Sequence, residues 1–129
     1  MRKLFLGAAL LWTCFITVCC LVSIRNFESV PVDEVNVDKY VHAAFYFIFT
    51  VLWYRFFKLD NPQENKRHRL RVFLMAVLFG IFMELCQQFF TTDRSADVTD
   101  ALANTTGSAI AILLLWLVER IRNNKIPDL

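Results

Sequence analysis

Four long apolar runs, separated by charged or turn-forming residues, divide the chain. The first, residues 4–24, carries no charged side chain and as a helix would reach ~31 Å, about the thickness of a hydrocarbon core. The second, residues 40–57, is interrupted near its end by Arg55, a side chain long enough to snorkel to a membrane interface. The third, residues 72–90, is broken only by Glu84, Gln87 and Gln88, and the fourth, residues 101–118, is polar at its start and strongly apolar from Ala109 onward. The pattern predicts an all-α membrane protein: a single domain over residues 1–129 with four transmembrane helices at approximately 4–24, 40–57, 72–90 and 101–118.

Composition agrees with that pattern. Of the 129 residues 57% are apolar and 20% charged, against roughly 45–50% and about 25% in a soluble domain. Arg2 and Lys3 before the first run raise the alternative of a signal peptide. The run is longer than a signal core, no A-x-A-like site follows it, and Val18 precedes Cys19 and Cys20 where lipoprotein processing wants a small residue, so an uncleaved anchor is expected. Cys14, Cys19, Cys20 and Cys86 all fall in apolar runs, where a thiol packs as a small hydrophobe.

Orientation follows from the basic residues. Arg2 and Lys3, then Arg55, Lys58, Lys66, Arg67, Arg69 and Arg71, then Arg120, Arg122 and Lys125 occupy alternate flanks of the runs, leaving Arg25, Lys39 and Arg94 for the others. The positive-inside rule therefore places both termini in the cytoplasm. The basic stretch 66–71 is read as topology-setting and headgroup-binding, and no nucleic-acid partner is expected. Asn61-Pro62 marks the turn before it.

The opposite side collects polar residues at helix ends. Asp38 and His42, four apart, put a carboxylate and an imidazole on one face. Glu84 lies inside the third run, with Gln87 or Gln88 one turn on. Asp97, Asp100 and Asn104 share a face at the start of the fourth helix, and Arg94 just before them is the natural partner of Glu84 or Asp97. Ionisable groups at membrane depth are costly and mark organised polar sites. Each group has a structural alternative: Asp97 and Asp100 as helix caps, His42 as a partner of Asp38, Asn104 as an interhelical tie, Gly107 and Ser108 as close-packing residues. His42, Glu84, Asp97 and Asp100 could supply metal ligands, but one histidine on this side, with no His-Glu-x-x-His or paired-cysteine spacing, makes neither a metal nor another cofactor an expectation.

In this order on consecutive helices, Asp38-Lys39-Tyr40-Val41-His42, Glu84-Leu85-Cys86-Gln87, and Arg94-Ser95-Ala96-Asp97-Val98-Thr99-Asp100 followed by Asn104 and Gly107 resemble the VanZ-like family of small bacterial membrane proteins. The resemblance covers roughly residues 38–118; Ala111 stands where a second glycine is often found, and the adjacent Gln88 leaves the glutamine register open. It implies a multi-pass protein of the bacterial cytoplasmic membrane, acting in cell-envelope function or low-level teicoplanin-type glycopeptide tolerance. Membrane lipids, a lipid-linked precursor or a glycopeptide are the expected partners.

Three classes of function follow. In the first, Glu84, His42 and Asp38 act in proton transfer while Arg94, Asp97, Asp100, Asn104 and Gln87 bind a lipid-linked or glycan-like head group. In the second the same pocket binds or regulates without chemistry. The third, a small proton-coupled transporter, is disfavoured because residues 43–83 offer no buried acid to match Glu84. Sequence leaves open whether the protein is an enzyme, and its oligomeric state.

Overall fold

A computed structural model of the chain describes residues 1–22, 34–91 and 96–124, and the side chains of all of these except 34–36. Four helices follow in order: α1 (Arg2–Leu21), α2 (Glu34–Asp60), α3 (Asn65–Phe90) and α4 (Val98–Asn124). The elements are those expected from the apolar runs, but α2, α3 and α4 are longer. Hydropathy marks where a helix leaves hydrocarbon, whereas backbone hydrogen bonding continues into the interface. The basic segment 65–71 is thus the first two turns of α3, and Glu34, Asp38 and Lys39 belong to α2. Asn61-Pro62 ends α2 as expected, since a residue before proline is pushed out of helical space. Helix α1 closes earlier than expected, with Val22 in extended backbone and its N–H still donated to the Val18 carbonyl.

The helices run up, down, up and down. Gln87 of α3 meets Cys20 of α1 near the ends of both helices, and Arg2 of α1 meets Asp60 at the far end of α2. Contacts between α2 and α4 keep a nearly constant offset along the chain, through His42–Asn104, Ala43–Gly107 and Thr50–Ser108, so these two helices lie parallel.

The bundle is polar inside and apolar outside. Buried polar groups include His42, Thr50, His68, Glu84, Gln87, Asn104, Ser108 and Glu119, while Leu4, Leu11, Leu78, Phe82, Phe89 and Val118 face outward. In water such a surface would drive aggregation; in lipid it is the ordinary exterior. Helices α1, α3 and α4 are each long and apolar enough to cross a membrane. Helix α2, aromatic rather than aliphatic, is as long as α4 and lies along it.

Two features set the α2–α4 distance. Gly107 lies against the Ala43 backbone so closely that any side chain there would overlap it. Thr50 and Ser108, both fully buried, share a hydrogen bond of 2.8 Å. Gly107 and Ser108 are therefore close-packing residues, as read from the sequence. An aromatic core from α2 and α3, with Phe49 and Phe79 stacked at 5.4 Å between centroids, completes the interior. Helix α1 is held by indole donors: Trp12 Nε1 to the Phe45 carbonyl at 3.0 Å and Trp53 Nε1 to Thr13 Oγ1 at 3.3 Å.

Candidate functional site

The start of α2, the end of α3 and the start of α4 bring most of the predicted polar residues to one end of the bundle. His42 is 4% exposed, and its Nδ1–H donates to Asn104 Oδ1 at 3.1 Å, tying α2 to α4. An amide oxygen only accepts, so this bond places the proton on Nδ1. His42 Nε2 faces Asp38 Oδ1 at 3.8 Å, one turn back on α2. Asp100, one turn before Asn104 on α4, joins them: ligand atoms of Asp38, His42 and Asp100 all lie within 4.8 Å of one another.

Glu84 enters from α3. It is 5% exposed, and its Oε2 accepts the Asp97 backbone N–H at 3.1 Å, which fastens the end of α3 to the start of α4. Its other oxygen, Oε1, is buried without a hydrogen-bond partner among the described residues. The same holds for Asn104 Nδ2 and for the hydroxyl of Tyr46, a residue one turn beyond His42. Gly80, one turn before Glu84, gives these groups room: a methyl there would stand 3.3 Å from Asn104 Nδ2 and 3.5 Å from Tyr46 Cε1. Sequence reasoning passed over both Tyr46 and Gly80. The signal was available in the i, i+4 spacing that places Tyr46 under His42 and Gly80 under Glu84.

The remaining predicted residues divide. Asp97 caps α4: its carbonyl accepts the N–H groups of Asp100 and Ala101, and its Oδ1 accepts the Thr99 N–H at 2.8 Å. That donated N–H holds the exposed Asp97 carboxyl below the usual carboxylate range. Its backbone thus enters the site while its side chain stays with the cap. Gln87 is the buried member of the glutamine pair and Gln88 is exposed, which answers the register. Gln87 Nε2 donates to the Cys20 carbonyl at 3.0 Å, closing α3 onto α1. Arg94 lies outside the described residues.

Two comparisons place this geometry. The sequence profile of the VanZ/LLP1 family matches residues 5–119. The chain belongs to this family. An uncharacterised protein of Schizosaccharomyces pombe, C11E3.10, is similar to it at 32% identity over 112 residues, covering 87% of this chain and 66% of the yeast protein's length. No solved structure matches. The match runs from α1 almost to the end of α4, so the VanZ/LLP1 unit comprises the whole bundle and not only the segment 38–118 that carried the resemblance.

A second polar cluster, at the opposite end, escaped the sequence reading. Glu119 of α4 is 7% exposed and accepts from Lys58 Nζ at 2.6 Å, from the Tyr54 hydroxyl and from Arg69. The chain therefore does hold a second buried acid, beyond the range searched for one. Beside it His68 Nε2–H donates to the Asn61 carbonyl at 2.7 Å while its ring stacks on Phe57. Glu119 reads in sequence as one charge among Arg120 and Arg122; only its register, facing α2 and α3, sets it apart.

Proposed function

We propose that this VanZ/LLP1 membrane protein receives the polar head of a lipid-linked or glycan-like molecule at the acidic end of its bundle. That end faces the extracytoplasmic leaflet of a bacterial cell membrane, both termini being cytoplasmic, and the role lies in cell-envelope function or low-level teicoplanin-type tolerance. The observation that carries the reading is the convergence of Tyr46, Glu84 and Asn104, three buried side chains each with a polar atom unpartnered among the described residues. Leaving such groups unpaired costs about 1–3 kcal/mol each, a cost that a polar ligand would relieve. Arg94, three positions before Asp97, supplies the guanidinium for an anionic head group. The basic character of the other end, with Arg2, Lys58, Arg69 and Arg120, supports the orientation by the positive-inside rule.

The occurrence of a relative in a yeast favours a head group carried by lipids over a ligand confined to bacterial walls. The test compares tolerance of envelope-active compounds in cells expressing the parent protein, Glu84→Gln, His42→Ala and Arg94→Ala at matched levels. Loss with all three supports chemistry at the site. Loss with Arg94→Ala alone supports binding without chemistry. Parental tolerance in all three removes the proposal.

A further inference from the structure

We propose that Asp38, His42 and Asp100 bind one divalent transition-metal ion, of the Zn²⁺ or Mn²⁺ kind, between the first turns of α2 and α4. Sequence spacing offered no such site, because the donors come from two helices that only the parallel packing of α2 and α4 brings together.

Three independent features point to a cation there. The first is separation: two donors bound at ~2.0–2.2 Å to a shared ion stand at most about 4.4 Å apart. His42 Nε2 and Asp38 Oδ1, at 3.8 Å, are too far apart for a hydrogen bond and suitably placed for two ligands of one ion. Three donors on one ion stand about 3.4–3.6 Å apart, so the full set, within 4.8 Å, closes with side-chain shifts of about 1 Å.

The second is the imidazole. With Nδ1–H donated to Asn104 Oδ1, Nε2 is the ring nitrogen turned toward the two carboxylates. A cation shared among the three groups would relieve the repulsion between the two carboxylates. A histidine whose far nitrogen is held by a carbonyl oxygen is the usual outer-shell arrangement of a metal ligand.

The third is charge. Glu84, 95% buried and with Oε1 unpartnered, lies within electrostatic reach of both His42 and Asp100. Asp38, Asp97, Asp100 and Glu84 thus gather four carboxylates around His42 and Lys39 among the described residues. The imidazole favours a borderline ion such as Zn²⁺ over Mg²⁺ or Ca²⁺, while the two carboxylates also suit Mn²⁺. The ion would bridge these carboxylates to an anionic head group, which deepens the head-group reading, although the donor geometry stands without it.

Zn²⁺ titration of the purified full-length protein in lipid nanodiscs, followed by calorimetry, tests the site. The expected result is one ion per chain, with affinity lowered at least 100-fold in Asp38→Asn and Asp100→Asn. Asn104→Ala, which frees the imidazole, should lower it about 10–100-fold. Glu64→Gln, an exposed carboxylate at the other end, should bind as the parent does. Asp38 is part-exposed, so its variant remains informative if Asp100→Asn misfolds. Binding no tighter in the parent than in Asp38→Asn, or binding abolished instead by Cys19→Ser and Cys20→Ser, overturns the proposal. Because titration needs no head group, a metal-free result leaves the tolerance assay to judge the head-group reading separately.

Discussion

Replacing Gly107 by alanine should force α2 and α4 apart. A methyl carbon at that position overlaps the Ala43 carbonyl oxygen and stands 2.7 Å from the Ala43 carbonyl carbon and 2.8 Å from its Cα. All three are backbone atoms, which cannot swing aside as a side chain would. Comfortable contact between carbons begins near ~3.5 Å, so the carbon contacts alone ask for roughly 0.8 Å, and the closer carbonyl oxygen makes the separation more than about 1 Å at this level. The two ties flanking the crossing, His42–Asn104 at 3.1 Å and Thr50–Ser108 at 2.8 Å, would both stretch.

Overpacking of this kind costs about 1–3 kcal/mol, and each interhelical hydrogen bond in a membrane contributes about 0.6 kcal/mol. Alanine's better helix propensity returns up to about 1 kcal/mol. The net expectation is a loss near 2 kcal/mol. The assay is unfolding by sodium dodecyl sulfate in mixed micelles, followed by fluorescence of Trp12, Trp53 and Trp116. Gly7→Ala is the control, because a methyl there has nothing within 4 Å and should be neutral or stabilising. A Gly107→Ala protein as stable as the parent, beside a well-behaved Gly7→Ala, would refute the close crossing that positions the site.

Other substitutions probe the remaining ties. Thr50→Val and Ser108→Ala should couple by about 0.6 kcal/mol in a double-mutant cycle of the same unfolding assay; additive effects would remove the bond. Glu119→Gln leaves Lys58 and Arg69 without their carboxylate and should cost about 3–5 kcal/mol, so parental stability would show that the cluster does not hold that end together. Asp97→Ala should destabilise the start of α4 in a pH-dependent way. Asp97 has its folded-state pKa depressed by the Thr99 N–H, so its contribution is present above the unfolded carboxylate value and fades as pH falls through the lower folded value. Unfolding of parent and variant should therefore converge in acid, and a gap that persists or widens would show that the charge is not what caps the helix.

The helices were legible because lipid imposes a simple rule on sequence: apolar runs of membrane length. Their true ends were not, because segments such as 65–71 are helical for reasons of backbone hydrogen bonding and carry charges that hydropathy discards. His42, Glu84, Asp100 and Asn104 stood out as ionisable or amide groups in the wrong solvent. Tyr46 did not, since an aromatic residue on a membrane helix attracts no notice until its hydroxyl is found buried and unpaired. Glu119 was hidden differently: among arginines at a helix exit, it looks like interfacial charge. Which of two adjacent glutamines faces inward was a question of helix rotation, and only packing of α3 against α1 answers it.

The contrast between the two ends argues for where function lies. At the basic end, the buried Glu119 is matched by Lys58, Arg69 and the Tyr54 hydroxyl. That matching also speaks against a proton-carrying role: an acid held by two cations stays ionised, and eight residues of α2, ~12 Å of helix, separate His42 from the Thr50–Ser108 bond on the way to it. At the acidic end the same bundle gathers carboxylates about one imidazole and leaves three buried polar atoms unpaired among the described residues. The basic end leaves one such atom, His68 Nδ1, against three at the acidic end. The unpaired groups are better explained by something that binds there, and a cation held by Asp38, His42 and Asp100 with an anionic head group above it would supply both missing charges at once.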